Sequence, residues 1–286
     1  MPEVDDFRTE VVPGIDALEP GLGRLFVVVG VFDGLHLGHL YLLRHLREAA
    51  ASRNTRPAVI TFDHHPDEIL TGAAPPLLCD PADRLALLAA AGVEVTVVQH
   101  FDVALRMTSY EDFIRRIAAR VDLAGILMTP ESAFGHERRG TPEAVAELGR
   151  VLGYETLVVP SLDLGGRPMR SAEIRSDIAA GDLAGATALL GRPYSVVGQG
   201  RAGTDGRLEL AFPMPVALPP AGTFRARIEP AGDDEGGPGL VHIDADGRLS
   251  IEPRSTGFDP DERLRVTFAP GGRLPDPGSA GTIRRS

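Results

Sequence analysis

The chain of 286 residues has no lysine and no tryptophan, so every basic residue other than histidine is arginine. The absence of lysine excludes a Walker-type P-loop, which needs a lysine beside the phosphates. It also excludes catalysis through a Schiff-base lysine. A phosphorylated ligand would therefore be held by arginine, histidine, backbone amides or a metal ion.

Cysteine and long apolar runs are also scarce. The single cysteine, Cys79, excludes an internal disulfide framework and is typical of a reducing compartment, so we expect a cytoplasmic protein. No apolar run approaches the roughly 18 residues of a membrane span, and the acidic segment 1–6 lacks the apolar core of a signal peptide. The net charge of −11 argues against a nucleic-acid partner and leaves small molecules as the expected ligands. No feature of the sequence indicates an oligomeric state.

The most informative stretch is the motif segment, residues 30–39, which reads GVFDGLHLGH. It follows the apolar run 25–29 and precedes residues 40–47, which have helical spacing, so it predicts a strand-to-helix turn. The N-terminus of a helix presents backbone N–H groups and positive potential to an anion. His36 and His39 are three residues apart and can share one face of the first helical turn. The segment favours a polyphosphate ligand, although a pair of histidines can also be surface decoration.

The first two thirds of the chain alternate between strand and helix patterns, which predicts a parallel sheet. The predicted strands are 25–29, 57–62, 93–98, 125–128 and 156–160, and the predicted helices are 80–91, 110–120, 142–152, 174–180 and 183–190. Ligands of such sheets bind beyond the carboxyl ends of the strands, where the motif segment and Asp63–Pro66 both lie. From residue 191 onward, short alternating runs between Gly and Pro predict an antiparallel barrel or sandwich. We therefore predict an α/β domain over 1–190 and a small β domain over 191–286.

Several separated segments resemble the prokaryotic bifunctional riboflavin kinase/FMN adenylyltransferase family. The motif segment carries the H-x-G-H signature of nucleotidylyltransferases, and 62–66 resembles the family's F-D-P-H-P, with His64 in place of the first proline. Residues 134–140 resemble the end of G-x-(D/N)-F-x-F-G-x-x-x-x-G, and 169–175 align with I-S-S-T-x-x-R. The resemblance implies a Rossmann-like nucleotidylyltransferase domain followed by an antiparallel β-barrel of the riboflavin-kinase type.

The resemblance also implies an activity and the residues that perform it. The first domain would transfer AMP from ATP to FMN, giving FAD and pyrophosphate, with Mg²⁺ as cofactor. His36, His39 and Arg175 would act on the ATP phosphates, and Asp63, His64 and His65 would lie near FMN and the phosphates. The implied nucleotide-binding residues are Gly30, Phe32, Asp33, Gly34, Gly38, Glu131 and Ser171, of which Glu131 is also a candidate metal ligand. The simpler alternatives are a solvated helix charge for Arg175 and a polar strand-end turn for 62–66.

Some positions depart from the family pattern. Thr129, Glu131 and Ser132 replace a glycine, an Asp or Asn, and a phenylalanine, while Arg170 and Ala172 replace a serine and a threonine. These departures keep two other functions open. One is a nucleotidyltransferase that uses ATP or CTP with another phosphorylated acceptor. The other is a non-catalytic protein that binds flavin or nucleotide.

The second domain lacks part of the family's kinase motif. The family has P-T-A-N, whose Thr and Asn help to hold magnesium and phosphates, whereas this chain has Met214 and Val216 at those two places. A thioether and an isopropyl group are poor partners for a hard cation. Glu252 stands at the place of the family's catalytic base. We therefore predict that riboflavin kinase activity is lost and that the β domain is inactive.

Overall fold

The computed structural model describes residues 9–203, 207–232, 236–252, 258 and 261–275. The chain forms two compact units. The first comprises the residues up to Pro75 together with Pro81–Met169, and the second comprises Pro76–Asp80 together with the residues from Arg170 onward.

The first unit is built on a six-stranded parallel sheet in the order β1-β4-β3-β2-β5-β6. Its strands are β1 (Glu10–Val12), β2 (Arg24–Val29), β3 (Arg56–Phe62), β4 (Val95–Gln99), β5 (Asp122–Met128) and β6 (Glu155–Val158). Its helices are α1 (Leu37–Ser52), α2 (Pro66–Thr71), α3 (Pro81–Ala90), α4 (Val103–Arg106), α5 (Tyr110–Ala118) and α6 (Pro142–Leu152). A two-stranded hairpin of β7 (Asp163–Leu164) and β8 (Arg167–Pro168) follows β6.

Strand β2 shows why the apolar run 25–29 forms the centre of this sheet. Leu25 and Val27 belong to the hydrophobic core on one face, and Phe26 and Val28 belong to the core on the other face. A strand buried on both faces needs a continuous apolar run rather than an alternating pattern. The observed sheet confirms the predicted parallel α/β architecture.

The order of the strands places a switch point beside β2. From β2 the chain adds β3 and β4 on one side and then β5 and β6 on the other. The loops that follow β2 and β5 therefore leave the sheet in opposite directions, and a crevice forms between them. The motif segment directly follows β2, so it lies at this crevice.

The second unit contains a closed antiparallel barrel, which decides between the barrel and the sandwich expected from sequence. Its helices are α7 (Ser171–Ala179) and α8 (Leu183–Leu190). Its strands are β9 (Ser195–Ala202), β10 (Leu208–Ala211), β11 (Gly222–Pro230), β12 (Gly237–Ile243), β13 (Leu249–Ile251) and β14 (Arg263–Arg273), in the order β10-β13-β12-β11-β14-β9. The boundary predicted at 190/191 falls inside this unit, between α8 and the first barrel strand.

The sequence patterns missed the shortest elements. Strand β1 has only three residues and is defined by its pairing with β4, more than eighty positions away. Helices α2 and α4 have six and four residues, too few for helical periodicity to be visible. Within the described residues, no helix has both the length and the hydropathy to cross a membrane.

Candidate active site

The motif segment holds an unusual backbone between β2 and α1. Phe32, Gly34 and Leu35 have φ angles of 54°, 80° and 33°. Positive φ is unfavourable for the two residues that carry side chains, and such strain persists where packing enforces it. The side chains of Phe32 and Leu35 are buried in the core, with exposures of 2% and 0%. Core packing therefore holds the turn in the shape that starts α1.

The two histidines of the motif segment stack at the start of α1. Their ring centroids are 3.7 Å apart, which confirms that they share one face of the first turn. His36 is the N-cap residue, and its Nδ1 accepts a hydrogen bond from the backbone N–H of His39 at 3.3 Å. A neutral His36 ring therefore carries its proton on Nε2. The ring of Phe32 lies 5.1 Å from that of His39 and supports the pair from behind.

His39 is held in its neutral form. Burial, followed by the neighbouring His36, lowers the pKa of His39 well below its ordinary value. Its Nδ1 atom is covered from solvent and has no hydrogen-bond partner among the described residues. An anion bound at this helix end would favour the charged imidazole and reverse the shift.

The carboxyl ends of β3 and β4 form a second polar cluster. Asp63 accepts hydrogen bonds from the backbone N–H groups of His64, at 2.7 Å, and Phe101, at 3.0 Å. Its other oxygen lies 2.7 Å from Nδ1 of His100. Burial alone would raise the pKa of Asp63, but these hydrogen bonds hold it below its ordinary value. The hydrogen bond to Asp63 in turn raises the pKa of His100.

The neighbours of Asp63 differ in their roles. His64 pairs with Glu68, with 3.1 Å between Nδ1 and the carboxylate. His65 caps α2, because its Nδ1 accepts from the backbone N–H of Asp67 at 3.2 Å. His100 was not predicted from sequence as a member of this cluster. The available signal was its position directly after β4, since β4 is the neighbour of the strand that Asp63 follows.

A cavity of about 520 Å³ lies at the same edge of the sheet, and we call it the strand-end cavity. Its walls are largely apolar and aromatic. It is lined by Val29, Gly30, Val31, Phe62, Pro66, Leu70, Phe101, Leu105, Arg106, Thr108, Phe113 and the segment 132–138. Sequence reasoning had named Gly30 and the motifs at 62–66 and 134–140, but it did not predict that they form one cavity, because the walls come from five separate segments. The usable signal was that an aromatic residue, Phe62 or Phe101, stands near the end of each of two adjacent strands.

The loop after β5 closes one side of the strand-end cavity. Two of the departures from the family pattern contact each other here, since the hydroxyl groups of Thr129 and Ser132 lie 2.8 Å apart. Glu131 is exposed and accepts a hydrogen bond from the hydroxyl of Ser161 at 2.7 Å. Gly135 has a φ of 75°, and a Cβ atom there would lie 2.5 Å from the backbone nitrogen of Tyr110. Only glycine fits this close approach.

Arg84 joins two of the strand ends that surround the cavity. Its guanidinium is buried, with 7% exposure, and donates to the carbonyl of Val31 at 3.2 Å and of Phe62 at 2.8 Å. Both carbonyls belong to residues that line the strand-end cavity. Arg84 therefore fixes the distance between the ends of β2 and β3. It was not among the sequence-predicted site residues.

The remaining predicted site residues belong to the second unit. Ser171 is the first residue of α7, and Arg175 lies one turn further along. The Nε atom of Arg175 donates to the carbonyl of Pro76 at 2.7 Å, a contact within this unit. The roles of Ser171 and Arg175 towards phosphates stay predictions. In the same unit Met214 is half-buried, and Val216 forms a β-bridge with Leu77.

In this chain two stacked histidines lie at the start of the helix that follows the switch point of a parallel sheet. This arrangement is typical of nucleotidyltransferases. Comparison with known families agrees. The profile of FAD synthetase matches residues 20–173, and the chain belongs to the FAD synthetase family.

Curated relatives cover more of the chain at modest identity. The bifunctional riboflavin kinase/FMN adenylyltransferase of Pseudomonas fluorescens is 27% identical over 91% of this chain and 88% of its own length. The enzyme of the same name from Haemophilus influenzae is 30% identical over 66% of this chain and 62% of its own length. The enzyme of that name from Escherichia coli K12 is 28% identical over 65% of this chain and 60% of its own length.

Among solved structures, a protein from Streptococcus pneumoniae described as a macrolide-efflux protein has the same fold. The two structures superpose with a TM-score of 0.78 over 96% of this chain and 93% of the other, at 21% identity. At this identity the likeness concerns the fold alone.

Proposed function

We propose that this chain is an FMN adenylyltransferase, which transfers AMP from ATP to FMN and releases pyrophosphate. One observation carries the proposal. The stacked His36 and His39, at the N-terminus of α1, lie at the same sheet edge as a cavity large enough for a flat aromatic ligand. FAD synthetase membership and the names of the relatives support the choice of ATP and FMN.

The chemistry requires two anions to approach each other. An oxygen of the FMN phosphate attacks the α-phosphorus of ATP, the new P–O bond forms, and the bond to the β-phosphate oxygen breaks with departure of pyrophosphate. Catalysis of such a transfer consists mainly of positioning and charge stabilisation. Backbone amides at the start of α1, the Nε2–H of His36 and the ring of His39 would supply donors to the phosphates. Each such donor is worth roughly 2–4 kcal/mol when it meets developing charge.

The other predicted nucleotide-binding residues fit this role to different degrees. Gly30 and Gly38 leave room for the rings of Phe32 and His36, which an added Cβ atom would approach to 3.0 and 3.1 Å. Gly34 adopts the positive φ of the turn, and the ring of Phe32 packs against that of His39. Asp33 is buried at 3% exposure, so its contribution would be to the shape of the turn rather than to direct contact. We propose that Ser171 and Arg175 bind the leaving phosphates, because a guanidinium matches phosphate in bidentate geometry.

Mg²⁺ fits the donors that are present. The carboxylate of Glu131 is exposed on the loop after β5, and Mg²⁺ is usually held by one or two carboxylates together with substrate phosphates. Bound there, it would offset the negative charge of the triphosphate. We propose Glu131 as its protein ligand.

The strand-end cavity would hold the flavin ring. Its walls include four phenylalanines, Phe62, Phe101, Phe113 and Phe134, and a planar tricyclic ring buries its faces well against aromatic side chains. Asp63 and His65 at the cavity's edge of the sheet would then lie towards the polar part of the flavin.

We further propose that the barrel does not phosphorylate riboflavin. Neither Met214 nor Val216 offers an oxygen ligand to a magnesium–phosphate complex. Glu252, even in the position of a base, would act without that metal site. Incubation with riboflavin, ATP and Mg²⁺ should give no FMN, and robust FMN formation would refute this part of the proposal.

The decisive experiment supplies FMN and ATP to the purified protein and follows both FAD and pyrophosphate. FAD and pyrophosphate in equal amounts support the proposal. Binding of FMN and ATP without turnover would instead indicate a non-catalytic binding protein.

The Phe134→Ala variant should raise the KM for FMN more than the KM for ATP, and Val151→Ala, an exposed position on α6, serves as its control.

A second candidate function is nucleotidyl transfer with another nucleotide or acceptor. The contact between Thr129 and Ser132 favours it, because these two departures from the family pattern form a hydrogen bond with each other beside the strand-end cavity. Parallel assays with CTP, and with phosphorylated acceptors other than FMN, test it. Pyrophosphate release that requires CTP or another acceptor would replace the first candidate with the second.

A further inference from the structure

Three side chains at the ends of β3 and β4 offer a set of ligand atoms that suits a metal ion. One ligand atom each from Asp63, His64 and His100 lies within 4.8 Å of the other two. Two of these ligands come from the turn after β3 and the third comes from the residue after β4. The rigid register between the adjacent strands therefore sets the distance between them.

The carboxylate of the cluster is already fixed in place. One oxygen of Asp63 accepts two backbone N–H groups, those of His64 and Phe101, and the other oxygen faces the ring of His100 at 2.7 Å. Such a carboxylate loses little conformational freedom when it binds a cation. The side chain of His64 is 44% exposed and that of His100 is 63% exposed, so both imidazoles are accessible to an incoming ion.

We propose that Asp63, His64 and His100 form a binding site for a divalent transition-metal ion of the zinc or nickel type. Two imidazoles and a carboxylate match the preference of these ions, whereas Mg²⁺ prefers oxygen ligands alone. Ligand atoms in a tetrahedral zinc site are about 3.3 Å apart, as its bond lengths of about 2.0–2.1 Å require. A fourth position stays open to water or to an oxygen of a bound ligand.

Glu68, which contacts the imidazole of His64, supports the proposed metal site. Glu68 lies 3.1 Å from Nδ1 of His64. A carboxylate that accepts the proton of one ring nitrogen orients the imidazole and makes the other nitrogen a better ligand, as in many zinc sites. His64 therefore presents Nε2 to the metal, while Glu68 holds the ring from the outside.

The site lies next to the strand-end cavity in sequence and in the sheet. Phe62 precedes Asp63, Phe101 follows His100, and both phenylalanines line the cavity. A ligand in the cavity that carries an oxygen at this edge could complete the coordination of the metal. Metal binding itself, however, requires only the three side chains and does not depend on the proposed FMN adenylyltransferase activity.

The test measures metal binding directly on the full chain after removal of any affinity tag. Titration calorimetry with Zn²⁺, and the absorption spectrum with Co²⁺ as a coloured substitute, should show one site per chain. His100→Gln keeps a polar partner for Asp63 and His64→Gln keeps one for Glu68, so both variants should fold. Removal of an outer partner of a metal site typically weakens binding about 10- to 100-fold. We therefore expect about tenfold weaker binding for Glu68→Gln and at least about 100-fold for either histidine variant.

The chain offers a matched control on α1. His45 pairs with Glu48 at 3.4 Å, as His64 pairs with Glu68, but His45 is not part of a three-ligand cluster among the described residues. His45→Gln should leave Zn²⁺ affinity unchanged. Absence of Zn²⁺ binding to the native chain would overturn the proposal. So would binding that persists in His100→Gln and disappears in His39→Gln, since that pattern would assign the metal to the stacked pair. Failure of FAD synthesis would leave all of these results unaffected.

Discussion

The motif segment of the first unit and the segment 213–216 of the second unit both align with motifs to which the family resemblance assigns phosphate chemistry. They differ in how the chemistry is built into the fold. In the motif segment the side chains of Phe32 and Leu35 are core residues, and the same turn positions both histidines. In the barrel, Met214 and Val216 are only half-buried. Substitution in the motif segment would disturb packing and chemistry together, whereas substitution at 214 and 216 changes chemistry with little effect on the core.

The core of the barrel does not depend on the side chains at 214 and 216. Tyr194 and Phe268 stack at 6.0 Å, and Phe224 meets Phe268 edge to face at 5.8 Å. All three side chains are almost fully buried. The barrel can therefore be a stable element whether or not positions 214 and 216 carry oxygen ligands. The comparison teaches that a fold and a family profile predict activity only where the reactive side chains are present.

The largest effect is expected at the motif segment. His39→Ala removes one ring of the stacked pair and its donor to the phosphates, so turnover should fall by about 10²- to 10³-fold, as for the loss of one preorganised donor. The measurement is the rate of FAD and pyrophosphate formation at saturating ATP and FMN. His45→Ala, further along α1, should keep nearly full activity. Full activity of His39→Ala would show that the pair is structural, and the contrast between the two segments would disappear.

The second prediction concerns the link between strand ends in the first unit. Arg84→Met fills a similar volume but leaves the carbonyls of Val31 and Phe62 without their donor, which should lower the free energy of unfolding of this unit by about 2–3 kcal/mol. Because both carbonyls belong to cavity walls, the KM for FMN should rise as well. Urea denaturation and steady-state kinetics measure the two effects.

Arg47→Met is the control for this prediction. Arg47 also donates to a backbone carbonyl, that of Ala91 at 3.4 Å, but it does so at the exposed surface. Its replacement should change stability by less than about 0.5 kcal/mol. If the two variants behave alike, burial of the Arg84 guanidinium has no particular role in the site.

The sequence predicted most of the fold because its signals are local. The apolar run 25–29, the helical spacing of 40–47 and the change of pattern at residue 191 each depend on neighbouring residues. The patterns gave the parallel sheet, the two regions and most element positions. They could not give β1, whose three residues form a strand only because β4 lies beside them. They also placed the start of α7 three residues too late, at 174 instead of Ser171.

The residues of the candidate site also fall into those with a local sequence signal and those without one. The stacked pair of His36 and His39 follows from helical spacing, which acts over three residues. His100 and Arg84 were missed because each acts on atoms far away in sequence. His100 reaches Asp63 through the pairing of β3 with β4, and Arg84 reaches Val31 and Phe62 from a helix. Only the tertiary structure brings such partners together.

The third prediction compares the two units through matched tyrosines. Tyr154 in the first unit donates its hydroxyl to the carbonyl of Val145 at 2.7 Å, and Tyr194 in the second donates to Ala217 at 2.5 Å. Both residues are buried, and burial raises the pKa of Tyr154, which keeps its hydroxyl protonated as a donor. Each Tyr→Phe substitution should destabilise its own unit by about 1 kcal/mol, the net value of one hydrogen bond.

Hydrogen–deuterium exchange resolved by peptide separates the two units. Tyr154→Phe should speed exchange in the sheet and Tyr194→Phe in the barrel strands. The barrel variant should also leave the rate of FAD formation unchanged, because the proposed site takes no residue from the barrel strands. A loss of FAD synthesis in Tyr194→Phe that exceeds its loss of stability would give the barrel a part in the reaction and weaken the contrast drawn above.

The smallest effect is a dependence of stability on pH that belongs to the motif segment. Burial holds the pKa of His39 below its ordinary value of 6.5, so the folded protein leaves this ring neutral where the unfolded chain protonates it. The unfolded state then binds more protons, and stability falls as the pH drops through 6.5. Between about pH 7.5 and about pH 6, this one group should remove about 0.8 kcal/mol.

The comparison of native protein with His39→Asn isolates this contribution, because all other titrating groups are shared. As the pH falls, the free energy of unfolding of the native protein should decrease relative to that of His39→Asn. Above about pH 7.5 the difference between the two proteins should be constant. A polyphosphate that binds at the start of α1 would stabilise charged His39, so added ATP should reverse the sign of the trend. A difference that does not change with pH would mean that His39 is not held neutral, and the stacked pair would then lack the electrostatic property that sets it apart from the barrel.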